Sequence, residues 1–187
     1  MALAYEKYLQ EILIDSPTLQ ARVAELGAQI SVDYAASDKL LLICILKGGV
    51  LFLTDLMRQI TVPHEIDFLA VSSYGRGGRS TTGNVRIEMD LREVVTGKDL
   101  LIVEDIIDSG NTLRFVMDML EARNPRSIRL CTLLDKPTRR TVEIKVDYTG
   151  FKIEDKFVFG YGLDLDEKFR NLPFIGVVRR EALTDDE

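Results

Sequence analysis

Glu104, Asp105 and Asp108 follow directly on the apolar run 100–103, and a small polar stretch, Ser109, Gly110, Asn111 and Thr112, follows them. An apolar-periodic helix is expected to open at about Leu113. Acids crowded at the end of a buried strand repel one another, so stability alone gives no reason for them. A small polar loop that opens a helix offers free backbone N–H groups and the positive end of the helix dipole to an anion. Acids beside an anion cradle need a cation or hydroxyls to reconcile the charges. A phosphorylated sugar carrying Mg2+ supplies all three.

Other chemistries find little support. There is no Gly-x4-Gly-Lys-Ser/Thr loop, no well-formed Gly-x-Gly-x-x-Gly and no His/Cys cluster at zinc spacing. The lone histidine, His64, stands at an expected strand start, so no Ser-His-Asp set can be built and acid–base work falls to carboxylates. Cys44 and Cys131 each lie inside apolar, strand-like runs and are read as buried, reduced thiols.

The elements that must position these residues alternate between strand and helix. The first forty residues read as helix, with Ser16 capping a restart and Pro17 in the first helical position. Strands are expected over 40–46, 66–74, 100–104 and 127–134, with helices over 50–60 and about 112–123. Residues 75–83 are rich in Gly, Arg and hydroxyls and are expected to form a mobile loop, with a return strand over 85–89. Shorter strands over 157–160 and 174–178 point to a small subdomain over the site. The result is an α/β fold, a central parallel sheet with helices on both faces. We expect a single domain over 1–187, with a core of about 38–150 and a hood from about 1–15 and 151–187. Motifs fall after residues 46, 74, 103 and 134, at the carboxyl ends of strands, where open α/β sheets bind ligands.

Residues 100–113 resemble the phosphoribosyl pyrophosphate (PRPP) motif of the purine phosphoribosyltransferases. The likeness continues through Leu46-Lys47-Gly48-Gly49, Ser73-Tyr74, Leu134-Asp135-Lys136-Pro137 and residues 156–170, in the family's order. It implies the type I phosphoribosyltransferase fold and a reaction in which N9 of a 6-oxopurine displaces pyrophosphate from C1 of PRPP. Purine salvage, giving IMP or GMP, is the implied role. By resemblance, Glu104 and Asp105 hold the ribose hydroxyls directly or through Mg2+, and Ser109, Gly110, Asn111 and Thr112 bind the 5′-phosphate. Asp108 is the candidate for proton transfer near N7 of the base. Lys47, Gly48, Ser73, Tyr74 and Arg170 correspond to pyrophosphate-binding positions, and relatives carry a cis peptide where this chain has Leu46–Lys47. Ser73 and Tyr74 open the loop expected to close over PRPP. The purine side takes Ile106, Lys136, Phe157, Val158 and Asp164. Lys136 would donate to the 6-oxo group, Phe157 stack on the base, the Val158 backbone read its edge and Ile106 pack on its other face. Asp164 would also help hold a second Mg2+. A homodimer or homotetramer is implied.

Two rivals remain at this level. One is a related transferase using xanthine or a pyrimidine. The other is a PRPP-sensing regulator that binds nucleic acid. A net charge of −6 argues against general nucleic-acid binding, which relies on basic patches. No apolar run approaches the roughly 18 residues of a membrane span. Residues 1–15 lack the layout of a signal peptide, so a cytoplasmic enzyme with no membrane partner is expected. At 187 residues the chain is long enough for a sizeable core.

Overall fold

A strand that is apolar along its whole length needs cover on both sides, and the central strands here receive it. A computed structural model describes residues 4–74 and 84–183. The elements run β1 (Leu9–Ile14), α1 (Ser16–Asp33), β2 (Leu40–Leu46), α2 (Val50–Gln59), β3 (His64–Tyr74), β4 (Asn84–Met89) and β5 (Asp99–Ile107). They continue with α3 (Asn111–Glu121), β6 (Ser127–Asp135), β7 (Tyr148–Lys152), β8 (Val158–Phe159) and β9 (Ile175–Val178). Six strands form one sheet in the order β4-β3-β2-β5-β6-β7. All its pairings are parallel except β3 with β4.

Successive side chains of a strand point to opposite faces, and β2 and β5 use both. Leu40, Leu42, Cys44, Leu101 and Val103 join Leu19, Val23, Leu26 and Ile30 of α1 and Phe52, Leu53 and Leu56 of α2. Leu41, Ile43, Leu100 and Ile102 join Leu113, Val116 and Leu120 of α3 on the other side. The expected parallel sheet with helices on both faces is therefore present. The strands β1, β9 and β8 make a separate, antiparallel three-stranded sheet. Its own apolar cluster is Phe159, Leu172, Phe174 and Val178, flanked by Tyr5 and Tyr8.

Several expectations need correction. The first forty residues are not all helical: residues 9–14 form strand β1, paired antiparallel with β9 near the other end of the chain. That pairing is long-range and leaves no local signature. The cap of α1 is Asp15, not Ser16. Its carboxylate accepts from the Thr18 N–H at 2.9 Å, and Ser16 and Pro17 occupy the first turn. Strand β5 runs to Ile107, so Glu104 and Asp105 lie within its last residues rather than after it. Strand β7 was not expected at all; Gly150 lies so close to Leu133 that an added Cβ would sit 2.4 Å from the Leu133 carbonyl oxygen. The segment 75–83, read as a mobile loop, lies outside the described residues, as do the side chains of Ser73 and Tyr74.

Candidate active site

Near the carboxyl end of β5 two adjacent acids are half-buried. Among the described residues, Oε2 of Glu104 is buried without a hydrogen-bond partner. Burial pushes the Glu104 carboxyl well above its usual range, and neighbouring Asp105 adds to the effect. Asp105 Oδ1 accepts from the Ile106 N–H at 2.7 Å. Burial still dominates and raises Asp105 to about 6, with Arg170 pulling it down and Asp164 pushing it up. Gly48 comes so close that an added Cβ would lie 1.5 Å from Asp105 Oδ2. Only glycine allows the turn after β2 to touch this carboxylate. The Leu46–Lys47 peptide of that turn is cis.

Beyond Ile107 the chain turns into α3. Gly110 takes the left-handed region at φ +87 and opens the helix, whose first internal bond runs from Arg114 N–H to the Gly110 carbonyl at 2.9 Å. The N–H groups of the turn before it have no intrahelical carbonyl to bond. Glu104, Ile106, Asp108, Ser109, Gly110 and Thr112 line a cavity of about 150 Å³ here. Asp108 Oδ1 accepts from Arg139 Nε at 3.1 Å, and Arg140 Nη1 donates to the Asp108 carbonyl at 3.0 Å. The Ser109 carbonyl accepts from Thr141 N–H at 3.0 Å, so residues 139–141 brace the loop.

On the sheet's next strand, β6 delivers Lys136 just past its end. The residue is only 6% exposed, its N–H donates to the Ile107 carbonyl at 3.0 Å, and its ammonium lies 3.5 Å from Asp155. Asp155 also faces Arg139 at 3.6 Å, linking Lys136 to the partner of Asp108. Val158 is buried, whereas Phe157 is 53% exposed. Ile106 is partly buried against the core.

The remaining acids and bases form one ionic cluster. Arg170 pairs with Asp164 at 2.9 Å and Glu167 at 3.2 Å, and Lys47 Nζ donates to Glu167 at 2.8 Å. Arg170 Nη1 also donates to the Gly162 carbonyl at 2.8 Å. The structure thus brings Lys47, Gly48, Asp105, Asp164 and Arg170 together, and groups Glu104 and Asp108 around the cavity. Sequence reading missed Arg139, Arg140, Asp155 and Glu167. The pair Arg139-Arg140 just past Pro137 was the available signal, but only the fold shows that these side chains return to Asp108.

No three His, Cys, Asp or Glu side chains among the described residues stand close enough to hold a metal by themselves. Two adjacent carboxylates, one with an unpartnered oxygen, nonetheless suit Mg2+, which takes one or two protein carboxylates and completes its shell from water and substrate phosphates.

A phosphoribosyl transferase domain matches residues 10–168. The chain belongs to the phosphoribosyl transferase family. Hypoxanthine phosphoribosyltransferase of Salmonella typhimurium is 50% identical over 173 residues, spanning 92% of this chain and 97% of that protein. A crystal structure of a hypoxanthine phosphoribosyltransferase from Staphylococcus aureus superposes with a TM-score of 0.93 at 42% identity, covering 99% of this chain and 100% of that one. Trypanosoma cruzi hypoxanthine phosphoribosyl transferase follows at TM-score 0.90 and 37% identity, covering 97% of each chain. This phosphoribosyl transferase is an enzyme, and its parallel sheet with an added small antiparallel sheet is the type I architecture.

Proposed function

We propose that this enzyme transfers the 5-phosphoribosyl group from PRPP to N9 of hypoxanthine or guanine, yielding IMP or GMP and pyrophosphate in purine salvage. The observation that carries the reading is the half-buried pair Glu104–Asp105, with Oε2 of Glu104 buried and unpartnered, shortly ahead of the Ser109–Thr112 turn. Vicinal hydroxyls beside a phosphate match that pattern: the carboxylates accept from the hydroxyls and the turn's N–H groups take the phosphate.

Each further residue then has a task. Lys47, Gly48, Ser73, Tyr74 and Arg170 bind pyrophosphate. Asp108, held through one oxygen by Arg139, keeps the other for the proton released when N9 attacks. Lys136 donates to the 6-oxo group and mismatches the amino group of adenine. Phe157, Ile106 and Val158 enclose the base, with Asp164 at the junction of base and pyrophosphate sides. When Mg2+ is bound, Glu104, Asp105 and Asp164 would hold it, and it would neutralise charge on the leaving pyrophosphate. In this reading the small antiparallel sheet of β1, β9 and β8 belongs to a hood over the site, and the enzyme works in the cytoplasm as a homodimer or homotetramer.

The test is pyrophosphate release from PRPP and Mg2+ with hypoxanthine, guanine, xanthine and adenine in turn. Turnover with the first two and little with adenine is expected. Asp108→Asn should lower kcat by roughly 10²–10⁴; near-normal turnover would remove Asp108 from the mechanism. PRPP binding without turnover on any base would favour the regulator, and preference for xanthine the related transferase.

A further inference from the structure

Tyr161 is a bulky residue in the left-handed region, at φ +49, between Gly160 and Gly162, which are also left-handed. A non-glycine side chain there is strained and persists only where its surroundings hold it. The holding group is on view. Tyr161 is 4% exposed, and its hydroxyl donates to Asp55 Oδ2 of α2 at 2.7 Å. Gln20 of α1 donates to the same oxygen at 2.8 Å, so three elements meet at one carboxylate. Burial and Asp55 both raise the phenol's pKa, which keeps it a donor throughout the working range.

Tyr161 stands one residue before the contact that closes the pyrophosphate side. Gly162 lies against Gly48, where an added Cβ would come within 2.1 Å of the Gly48 carbonyl oxygen. The Gly162 carbonyl in turn accepts from Arg170, and the Gly162 N–H donates to the Arg170 carbonyl at 2.9 Å. Helix α2 begins at Val50, directly after the Lys47–Gly49 turn. The same helix therefore anchors both halves of that side: the turn before it through the chain, and the 160–163 turn through Asp55.

We propose that Asp55 and Tyr161 are positioning residues, whose hydrogen bond sets the 160–163 turn against Gly48 and so aims Arg170 at the pyrophosphate group. The proposal rests on the reading of this site as PRPP-dependent. Neither residue is assigned a contact with substrate in that reading. Their loss should act on the pyrophosphate end of the reaction and spare the base end.

The experiment is steady-state kinetics in both directions on Tyr161→Phe, Asp55→Ala and Asp55→Asn, with thermal unfolding alongside. Tyr161→Phe keeps the ring and removes the donor, and Asp55→Ala removes the acceptor. Either should raise KM for PRPP and for pyrophosphate by about 3- to 10-fold, the range of one lost hydrogen bond, with KM for hypoxanthine unchanged. Asp55→Asn keeps a carbonyl acceptor and should restore wild-type values. The double variant should be no worse than Asp55→Ala alone, because that substitution already deletes the Tyr161 bond together with the one from Gln20. Unchanged KM for PRPP and pyrophosphate in Tyr161→Phe would overturn the proposal, as would equal rises for PRPP and hypoxanthine. Should Tyr161→Phe not fold, the contrast of Asp55→Ala with Asp55→Asn decides alone. An inactive wild-type protein would instead sink the PRPP reading itself.

Discussion

Asp99 opens strand β5, and Glu104 and Asp105 lie near its other end. At the amino end the Asp99 carboxylate is fully engaged: Ser37 and Ser127 donate their hydroxyls and Arg126 brings Nε and Nη2. Arg126 holds that carboxyl far below the usual range, aided by the two serines. At the carboxyl end, no cation pairs directly with either acid among the described residues, Glu104 has an oxygen without a partner, and burial drives both acids upward. The same strand thus has one acid fully engaged in structure and, in the reading proposed above, two set aside for a ligand. Satisfied buried charge fixes structure, whereas unsatisfied buried charge is tolerated where something binds.

Removing acids from the two ends should separate these roles. The largest effect is expected from Glu104→Gln, which should raise KM for PRPP by roughly 10- to 100-fold, since a charge-assisted bond to a hydroxyl or ion is worth a few kcal/mol. Because the substitution also relieves repulsion between neighbouring acids, urea unfolding should show no loss of stability. A variant that binds PRPP normally would erase the contrast. Next comes Asp99→Ala, expected to cost about 2 kcal/mol of stability while leaving kcat and KM unchanged. The cost falls short of a fully buried pair because Arg126 is 45% exposed and can return to water. Urea titration with parallel kinetics measures it.

The smallest effect lies in pH dependence, and the two ends carry opposite signs. The folded pKa of Asp105 is raised from 3.8 to about 6, so folding disfavours its ionised form. Its penalty is absent below about pH 4, grows through the interval and is complete above about pH 6. Asp99 is lowered from the same 3.8, so its contribution is present above that pH and is lost on acidification below it. Asp105→Asn should therefore raise stability by on the order of 1–2 kcal/mol at pH 7 and leave it unchanged near pH 4. Equal gains at both pH values would show that Asp105 is not held above its ordinary range.

The candidate site was legible in sequence because its proposed residues lie in short clusters: acids and turn within 104–112, Lys47-Gly48-Gly49 at one turn, and Lys136 beside Pro137. Core strands were legible for a similar local reason, since a run such as 40–46 has no other stable place than a covered sheet. Strand β1 was missed because only its antiparallel partner, β9, makes it a strand. Arg139 and Asp155 were missed because charged residues at such spacing ordinarily face solvent, and only the return of the 139–141 segment onto Ser109 places Arg139 on Asp108.

By itself the sequence determined which groups are available and in what order they follow buried strands: three carboxylates, a small polar turn opening a helix, a glycine turn and one lysine after a strand. Local propensity and hydrophobic period are short-range, so they set these features without reference to the rest of the chain. Which carboxylates are quenched and which stay hungry was decided only in three dimensions. Asp99 depends on Ser37 and Arg126, and Asp105 lies against Gly48 and feels the charge of Arg170, all far away along the chain. Desolvation and charge pairing depend on distance in space, and folding alone sets those distances.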